Sequence, residues 1–324
     1  MKTRVTDLLG IRYPIIQGGL QGLGRAELAA AVSAAGGLGL ITAGCFDTRA
    51  ELEAEIARAR ALTDQPVGVN ISIGTRRNMS EFVDCICDLG VRVVFTSGHN
   101  PEPFVERVKR HRMTWIHVAP AVRFAHKAQN LGADGVVLVG FEAGGHPGMD
   151  DIALSVLVRK TSAELDIPVI AAGGISDGRS MLAALAWGAE GVQIGTRFVL
   201  TRESVLHTDM KQVLQQASEH DTVMIERSLR KARRVLRTPQ AETVLELERQ
   251  GAGFEQLRHI IGGAAYLETI LQGRTDRGVL STGQCIGLLD DVPSAGDVVR
   301  RIVAESAVVL DRLNDIANPP VTLQ

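Results

Sequence analysis

The chain has 324 residues, 45% of them hydrophobic, and 35 basic against 37 acidic residues for a net charge of −2. That suits one large α/β domain with a modest addition and gives no bulk charge for holding nucleic acid or a membrane surface. No apolar run of about 18 residues occurs, and the first seven residues lack an apolar signal core, so the expectation is a cytoplasmic protein without a membrane span.

Apolar runs alternate with helical patterns through the first two-thirds of the chain. Strand-like runs cover residues 13–19, 38–43, 67–72, 91–97, 114–119, 135–140, 167–174 and 191–197. Most are continuously apolar, as expected of parallel strands covered on both faces. Helical patterns lie between them, the first an alanine-rich stretch at 25–32. Eight β/α units in succession predict a (β/α)8 TIM barrel rather than a doubly wound sheet of five or six strands. After Phe198 the rhythm breaks, and residues 202–272 turn polar and helical without strand-like runs. The predicted organisation is therefore a barrel over 1–201, a helical lid or substrate-binding section over 202–285, and a C-terminal helix over 286–324 that packs back on the barrel. Its helical periodicity spans about 297–313, with Pro319 and Pro320 as the stop. The basic run 227–234 reads as a solvated helix face, with attraction of an anionic cofactor or substrate as the alternative. Cys45, Cys85, Cys87 and Cys285 have no metal-ligand spacing and are expected as reduced, mostly buried thiols, with no metal site.

The seven residues Glu142-Ala143-Gly144-Gly145-His146-Pro147-Gly148 follow the sixth strand. In barrels the chemistry is done at the C-terminal ends of the strands. The glycines let the backbone approach a ligand closely, and Pro147 stiffens the turn. A catalytic His146 is weighed here against a histidine that merely caps the next helix. Gly173-Gly174-Ile175-Ser176-Asp177-Gly178 follows the seventh strand and Gly195-Thr196 the eighth, where barrels often bind phosphate. Bare N–H groups, the Thr196 hydroxyl and a helix N-terminus would favour an anion there. The phosphate belongs to a substrate or to a cofactor. Three strand ends favour a flavin: Gly18-Gly19-Leu20-Gln21 for close backbone approach, Asn70 as donor and acceptor for a pyrimidine edge, and the hydroxyls of Thr96 and Ser97.

The segments Ile16-Gln17-Gly18-Gly19, Gly68-Val69-Asn70, Glu142-Ala143-Gly144-Gly145-His146, Ala171-Ala172-Gly173-Gly174-Ile175 and Gly195-Thr196-Arg197-Phe198 occur together and in order. In this the chain resembles the nitronate monooxygenase family, over nearly its whole length. The same scaffold serves FMN-dependent NADH:quinone reductases and enoyl-acyl-carrier-protein reductases. The resemblance implies FMN, with its phosphate on Gly173, Gly174, Gly195 and Thr196. Gly19, Leu20, Gln21 and Asn70 would lie along the ring, with Gly18, Gly144 and Gly145 completing the cofactor set. His146 would stand over the reactive face, and Ser281 would return from the tail to the substrate. Two departures stand out. The quinone-reductase branch carries lysine where this chain has Val118 and aspartate where it has Val139, whereas Val118-Ala119-Pro120 is similar to the enoyl reductases. Arg227-Ser228-Leu229-Arg230 and Gly251-Ala252-Gly253 are similar to the quinone-reductase branch.

The expected activity is nitronate monooxygenase-type oxidation of alkyl nitronates with O2. The alternatives are NAD(P)H-dependent reduction of an organic acceptor, a quinone or an enoyl thioester, and a flavin-binding protein without turnover. The partners expected are small molecules, with a homodimer left open.

Overall fold

Strands whose side chains shun water on both faces must be covered on both faces. The chain does this by closing a barrel, as seen in a computed structural model that describes residues 1–74 and 79–318. The units follow in order: β1 (Ile15–Gln17), α2 (Ala26–Ala34), β2 (Gly39–Thr42), α3 (Arg49–Leu62), β3 (Val67–Ile73), α4 (Ser80–Asp88), β4 (Val93–Gly98) and α5 (Glu102–Arg110). Then come β5 (Thr114–Ala119), α6 (Val122–Asn130), β6 (Gly135–Val139), α7 (Leu154–Ser162), β7 (Val169–Ala172), α8 (Gly178–Ala186) and β8 (Gly191–Ile194). All pair in parallel, in the order β1-β8-β7-β6-β5-β4-β3-β2. The ring closes where Gln17 N donates to Leu38 O at 2.9 Å and Leu38 N to Ile15 O at 2.9 Å. The expected eight-stranded barrel is what the chain forms.

Side-chain alternation divides the core into two layers. Ile16, Leu40, Phe95, Ile116, Val137 and Ile170 fill the barrel, and α1 (Arg4–Leu9) plugs its N-terminal end with Val5 and Leu9. Ile15, Ile41, Val94, Trp115 and Val136 face outward to the helices. Each fully buried aliphatic or aromatic side chain contributes about 1.5–3 kcal/mol. A one-residue slip would exchange the layers throughout a strand, so the register is firmly set. The same alternation decides which side chains reach the mouth: Asn70, Val118, Val139 and Gln193 share the inward parity.

Beyond β8 the chain forms α9 (Thr196–Val199), α10 (Thr208–Gln215), β9 (Thr222–Ile225), β10 (Arg233–Leu236), α11 (Pro239–Arg249), α12 (Phe254–Ile261) and α13 (Gly263–Gln272). The antiparallel β9–β10 hairpin corrects the expectation of a section without strands. The run 227–234, expected as a helix face, is instead the hairpin turn and the start of β10. Glu226 and Arg230 have φ of +61° and +54°, in the left-handed region that ends regular structure. The final helix, α14 (Ala295–Ala317), packs against α8 and α2, with the Glu305 carboxylate accepting from Gly178 N at 2.9 Å. The expected Pro319-Pro320 stop lies outside the described residues. All four cysteines are free thiols, three of them buried. No helix of the described residues is long and apolar enough to cross a membrane, and no cluster of metal-ligating side chains occurs among them.

Candidate active site

The C-terminal mouth of the barrel brings together most of the residues singled out above. The turn after β1 is held from several sides. Gly18 N donates to Ile194 O at 3.0 Å, Leu20 N to the Thr42 hydroxyl at 3.0 Å, and the Gln21 side chain to Gly44 O at 2.6 Å. Tyr266 of α13 donates its hydroxyl to Gln21 O at 2.7 Å, tying the turn to the added section. Gly19 lies so close to Asn70 that a Cβ on it would stand 2.5 Å from the amide carbon. Asn70 is itself buried, and its amide nitrogen donates to the Ser72 hydroxyl at 3.1 Å.

The glycine-rich loop after β6 is fixed by partners the sequence did not reveal. Gly145 and Arg234 exchange backbone hydrogen bonds of 3.0 and 2.7 Å, so β10 forms an antiparallel bridge with the loop. The buried Arg234 guanidinium donates from Nε and Nη2 to Phe141 O at 3.1 and 2.9 Å and from Nη1 to the Thr222 hydroxyl at 3.1 Å. It also lies over the Phe141 ring, 4.5 Å from the centroid. Gly145 takes φ +84°, where a side chain would be strained. Gly144 packs on the backbone of Thr282 and Gly283, leaving no room for a Cβ.

The helix-capping alternative for His146 is excluded by Glu142, whose carboxylate accepts from Leu154 N, the first residue of α7, at 3.3 and 3.4 Å. His146 makes no side-chain hydrogen bond among the described residues. His146 is exposed to solvent on the loop surface. Desolvation by the protein around it, followed by the positive charges of Arg233 and Lys231, lowers its pKa to about 4. His146 is therefore neutral at pH 7, free to accept a proton.

Gly173 and Gly174 take φ of +116° and +68° and pack beneath Ala143 and Glu142. The N–H groups of Gly173, Gly174, Gly195 and Thr196 have no acceptor among the described residues, an arrangement that suits an oxyanion. A Cβ on Gly195 would meet nothing nearer than Leu20 Cδ2 at 3.7 Å, so the space in front of it is open. The expected contribution of a helix N-terminus is weaker than the sequence suggested. Asp177 caps α8 through Ser180 N at 2.8 Å, and Glu305 takes Gly178 N, so two carboxylates already meet that terminus. Thr196 spends its hydroxyl oxygen partly on Gly283 N at 2.9 Å, anchoring the returning tail.

That tail places Ser281 beside Val235 in a second antiparallel bridge, and its hydroxyl accepts from Arg233 Nε at 3.1 Å. Val118 and Val139 are partly buried on the inner core, leaving both positions apolar. Thr96 is not in the mouth. It accepts from Trp115 Nε1 at 2.7 Å and lies 2.8 Å from His117 Nδ1, all three being buried in the outer layer. Phe95 takes the inward position instead. Ser97 has the inward parity, with its hydroxyl 3.5 Å from that of Ser72.

Three residues were missed. Arg233 and Arg234 were hidden in a run that looked helical. Gln193 was hidden inside the eighth strand, although a lone polar residue between Val192 and Ile194 is a signal for an inward position. Its Oε1 is buried without a partner, and a Cβ on Gly18 would lie 3.3 Å from its side chain. An unpaired carbonyl oxygen in the mouth calls for a donor.

The family model for nitronate monooxygenase matches residues 2–86 and 72–305. A (3aS,4S,5R,7aS)-5-hydroxy-7a-methyl-1-oxo-octahydro-1H-indene-4-carboxyl-CoA dehydrogenase from Rhodococcus jostii is 31% identical, with 97% of this chain and 98% of that protein covered. A probable nitronate monooxygenase from Staphylococcus saprophyticus is 35% identical, with 69% and 75% covered. Among solved structures, FabK from Thermotoga maritima superposes with a TM-score of 0.92 at 37% identity, covering 98% of this chain and 99% of that one.

Proposed function

The chain belongs to the nitronate monooxygenase family, and from that premise we propose that it is an FMN-dependent oxidoreductase that oxidises alkyl nitronates with O2. The observation that carries this reading is His146, unpaired and neutral, held by a glycine turn at the mouth of the barrel. A neutral imidazole there takes the α-proton of a nitroalkane, generating the nitronate in place.

The residues present fit FMN. The four unpartnered N–H groups of Gly173, Gly174, Gly195 and Thr196 would hold its phosphate. Gly18, Gly19, Leu20, Gln21 and Asn70 would lie along the ring, with Gly144 and Gly145 bordering the same space. The unpaired Gln193 oxygen would accept from a ring N–H. When bound, FMN supplies the electron acceptor and the reaction with O2. The chain's own contribution is to orient, to exclude water and to move the proton at His146 Nδ1 or Nε2. The β9–β10 hairpin serves the first two, because its bridge to Gly145 closes one wall of the site. The binding-only alternative loses its support, since the family is one of oxidoreductases. Oxygen uptake by FMN-loaded protein with propionate 3-nitronate tests the reading. Saturable uptake supports it, and no uptake above free FMN refutes it.

One observation favours a second reading, NAD(P)H-dependent chemistry on a thioester or quinone. The carboxyl-CoA dehydrogenase is matched along 97% of this chain, the probable nitronate monooxygenase along only 69%. NADH or NADPH consumption with an enoyl thioester, absent with nitronates, would select that reading.

A further inference from the structure

Position 118, where the quinone-reductase branch keeps a lysine, is a valine here, and the barrel strands put no cation at that point of the mouth. The β9–β10 hairpin brings one from the other side. Gly145 and Arg234 form a hydrogen-bonded antiparallel bridge, so the next residues along, His146 and Arg233, are cross-strand neighbours. Such a pair carries its Cβ atoms roughly 4.5–5.5 Å apart on one face. The Arg233 side chain is only 11% exposed. Its Nε donates to the Ser281 hydroxyl at 3.1 Å, and its guanidinium carbon lies 5.5 Å from the centroid of the Tyr266 ring. Tyr266 in turn holds Gln21 O, so Arg233 stands between the turn after β1 and the histidine loop.

We propose that Arg233 is the anion anchor of this site: its guanidinium binds a planar oxyanion, the nitro group of a nitronate or an enolate oxygen, opposite His146. The inference rests on the reading of the site as one for a carbon-acid anion. Arg233 is incompletely neutralised. Glu226 contacts Nη1 at a long 3.4 Å, and Nη2 makes no hydrogen bond among the described residues. Burial, the largest influence, raises the Glu226 pKa, while Arg233 itself lowers it. A cation with few waters attracts an anion more strongly than one in bulk solvent. The groups facing it are Glu226, with Glu248 behind, Lys231, Ser281, Tyr266 and His146.

Nitrate is a planar trigonal oxyanion that cannot react, so its binding reads the anchor apart from turnover. Titrating FMN-loaded protein with nitrate, followed by the flavin difference spectrum, should give an Arg233-dependent Kd. R233M should raise that Kd at least tenfold and R233K should recover most of the loss. The double variant R233M/E226Q, which strands no buried carboxylate, should behave as R233M does. With propionate 3-nitronate, KM should rise about tenfold in R233M with a smaller change in kcat. By NMR the His146 pKa should move up toward the ordinary histidine value. Nitrate binding of equal strength in wild type and R233M/E226Q overturns the proposal, as does a wild type that does not bind nitrate. A wild type that binds nitrate through Arg233 yet does not consume O2 with nitronates refutes the proposed reaction and leaves the anchor standing.

Discussion

Replacing Arg234 with Met should loosen the histidine loop without touching any group that meets substrate. Arg234 is 3% exposed, makes two hydrogen bonds to Phe141 O and one to Thr222, and covers the Phe141 ring. Methionine fills much of the volume but leaves the Phe141 carbonyl and the Thr222 hydroxyl unpaired, about 1–3 kcal/mol for each. The lost cation–π contact adds about 1–2 kcal/mol. Relief of the desolvation of a buried guanidinium offsets part of this. The net expectation is a loss of about 2–4 kcal/mol, a large share of the roughly 5–15 kcal/mol of a typical domain but short of unfolding it. The assay is urea unfolding together with hydrogen exchange at the Gly145 amide, which donates to Arg234 O. The midpoint should fall, Gly145 protection should drop, and kcat/KM should fall roughly 10–100-fold as His146 loses its fixed position. R234K should recover only part, because an ammonium lacks the fork that spans Phe141 and Thr222. An unchanged midpoint with unchanged Gly145 exchange would refute the claim that Arg234 holds this loop.

Three further outcomes follow from particular residues. Gly19→Ala would place a methyl 2.5 Å from the Asn70 amide, so the fold should persist while FMN affinity, read by flavin fluorescence on dilution, falls roughly tenfold or more. With His146 neutral down to about 4, proton abstraction from a nitroalkane should hold level from pH 8 to 6 and fall only as pH approaches 4; a midpoint near 6.5 in kcat/KM would contradict the lowered pKa. His117, nearly fully buried, is also lowered to about 4, first by burial. Its folded pKa lies below its unfolded value of about 6.5, so its contribution of about 3 kcal/mol is complete above pH 6.5 and lost as pH falls toward 4. Urea midpoints across that window should fall less steeply in His117→Gln.

Much of the barrel was legible because parallel strands buried on both faces leave unbroken apolar runs. The ends were less so. β1 shrinks from the expected 13–19 to Ile15–Gln17, because Pro14 has no N–H to give. The same double burial hides which face a residue takes. Thr96 looked like a mouth residue, yet alternation with the inward Phe95 turns it out to Trp115 and His117. The glycine loops stood out because each needs backbone freedom at two places, Gly145 and Gly148 with φ +84° and +92°, and Gly173 and Gly174 with φ +116° and +68°. The β9–β10 hairpin stayed hidden because its two strands, Thr222–Ile225 and Arg233–Leu236, are only four residues each and show no regular apolar alternation. Strand period then sends adjacent arginines to opposite faces: Arg234 into the seam with Phe141, and Arg233 to Ser281 and the His146 side. The unpaired Gln193 oxygen was invisible for a related reason, since only barrel closure sets it beside Gly18.

The most direct test of the proposed function is the visible spectrum of FMN-loaded protein in an anaerobic cuvette, with propionate 3-nitronate added to one sample and NADH to another. Rapid loss of flavin absorption with the nitronate, at least 100-fold faster than with NADH and strongly slowed in R233M, is the predicted result. Rapid loss with NADH and none with the nitronate would contradict it and turn the assignment to the reductase chemistry of the second reading.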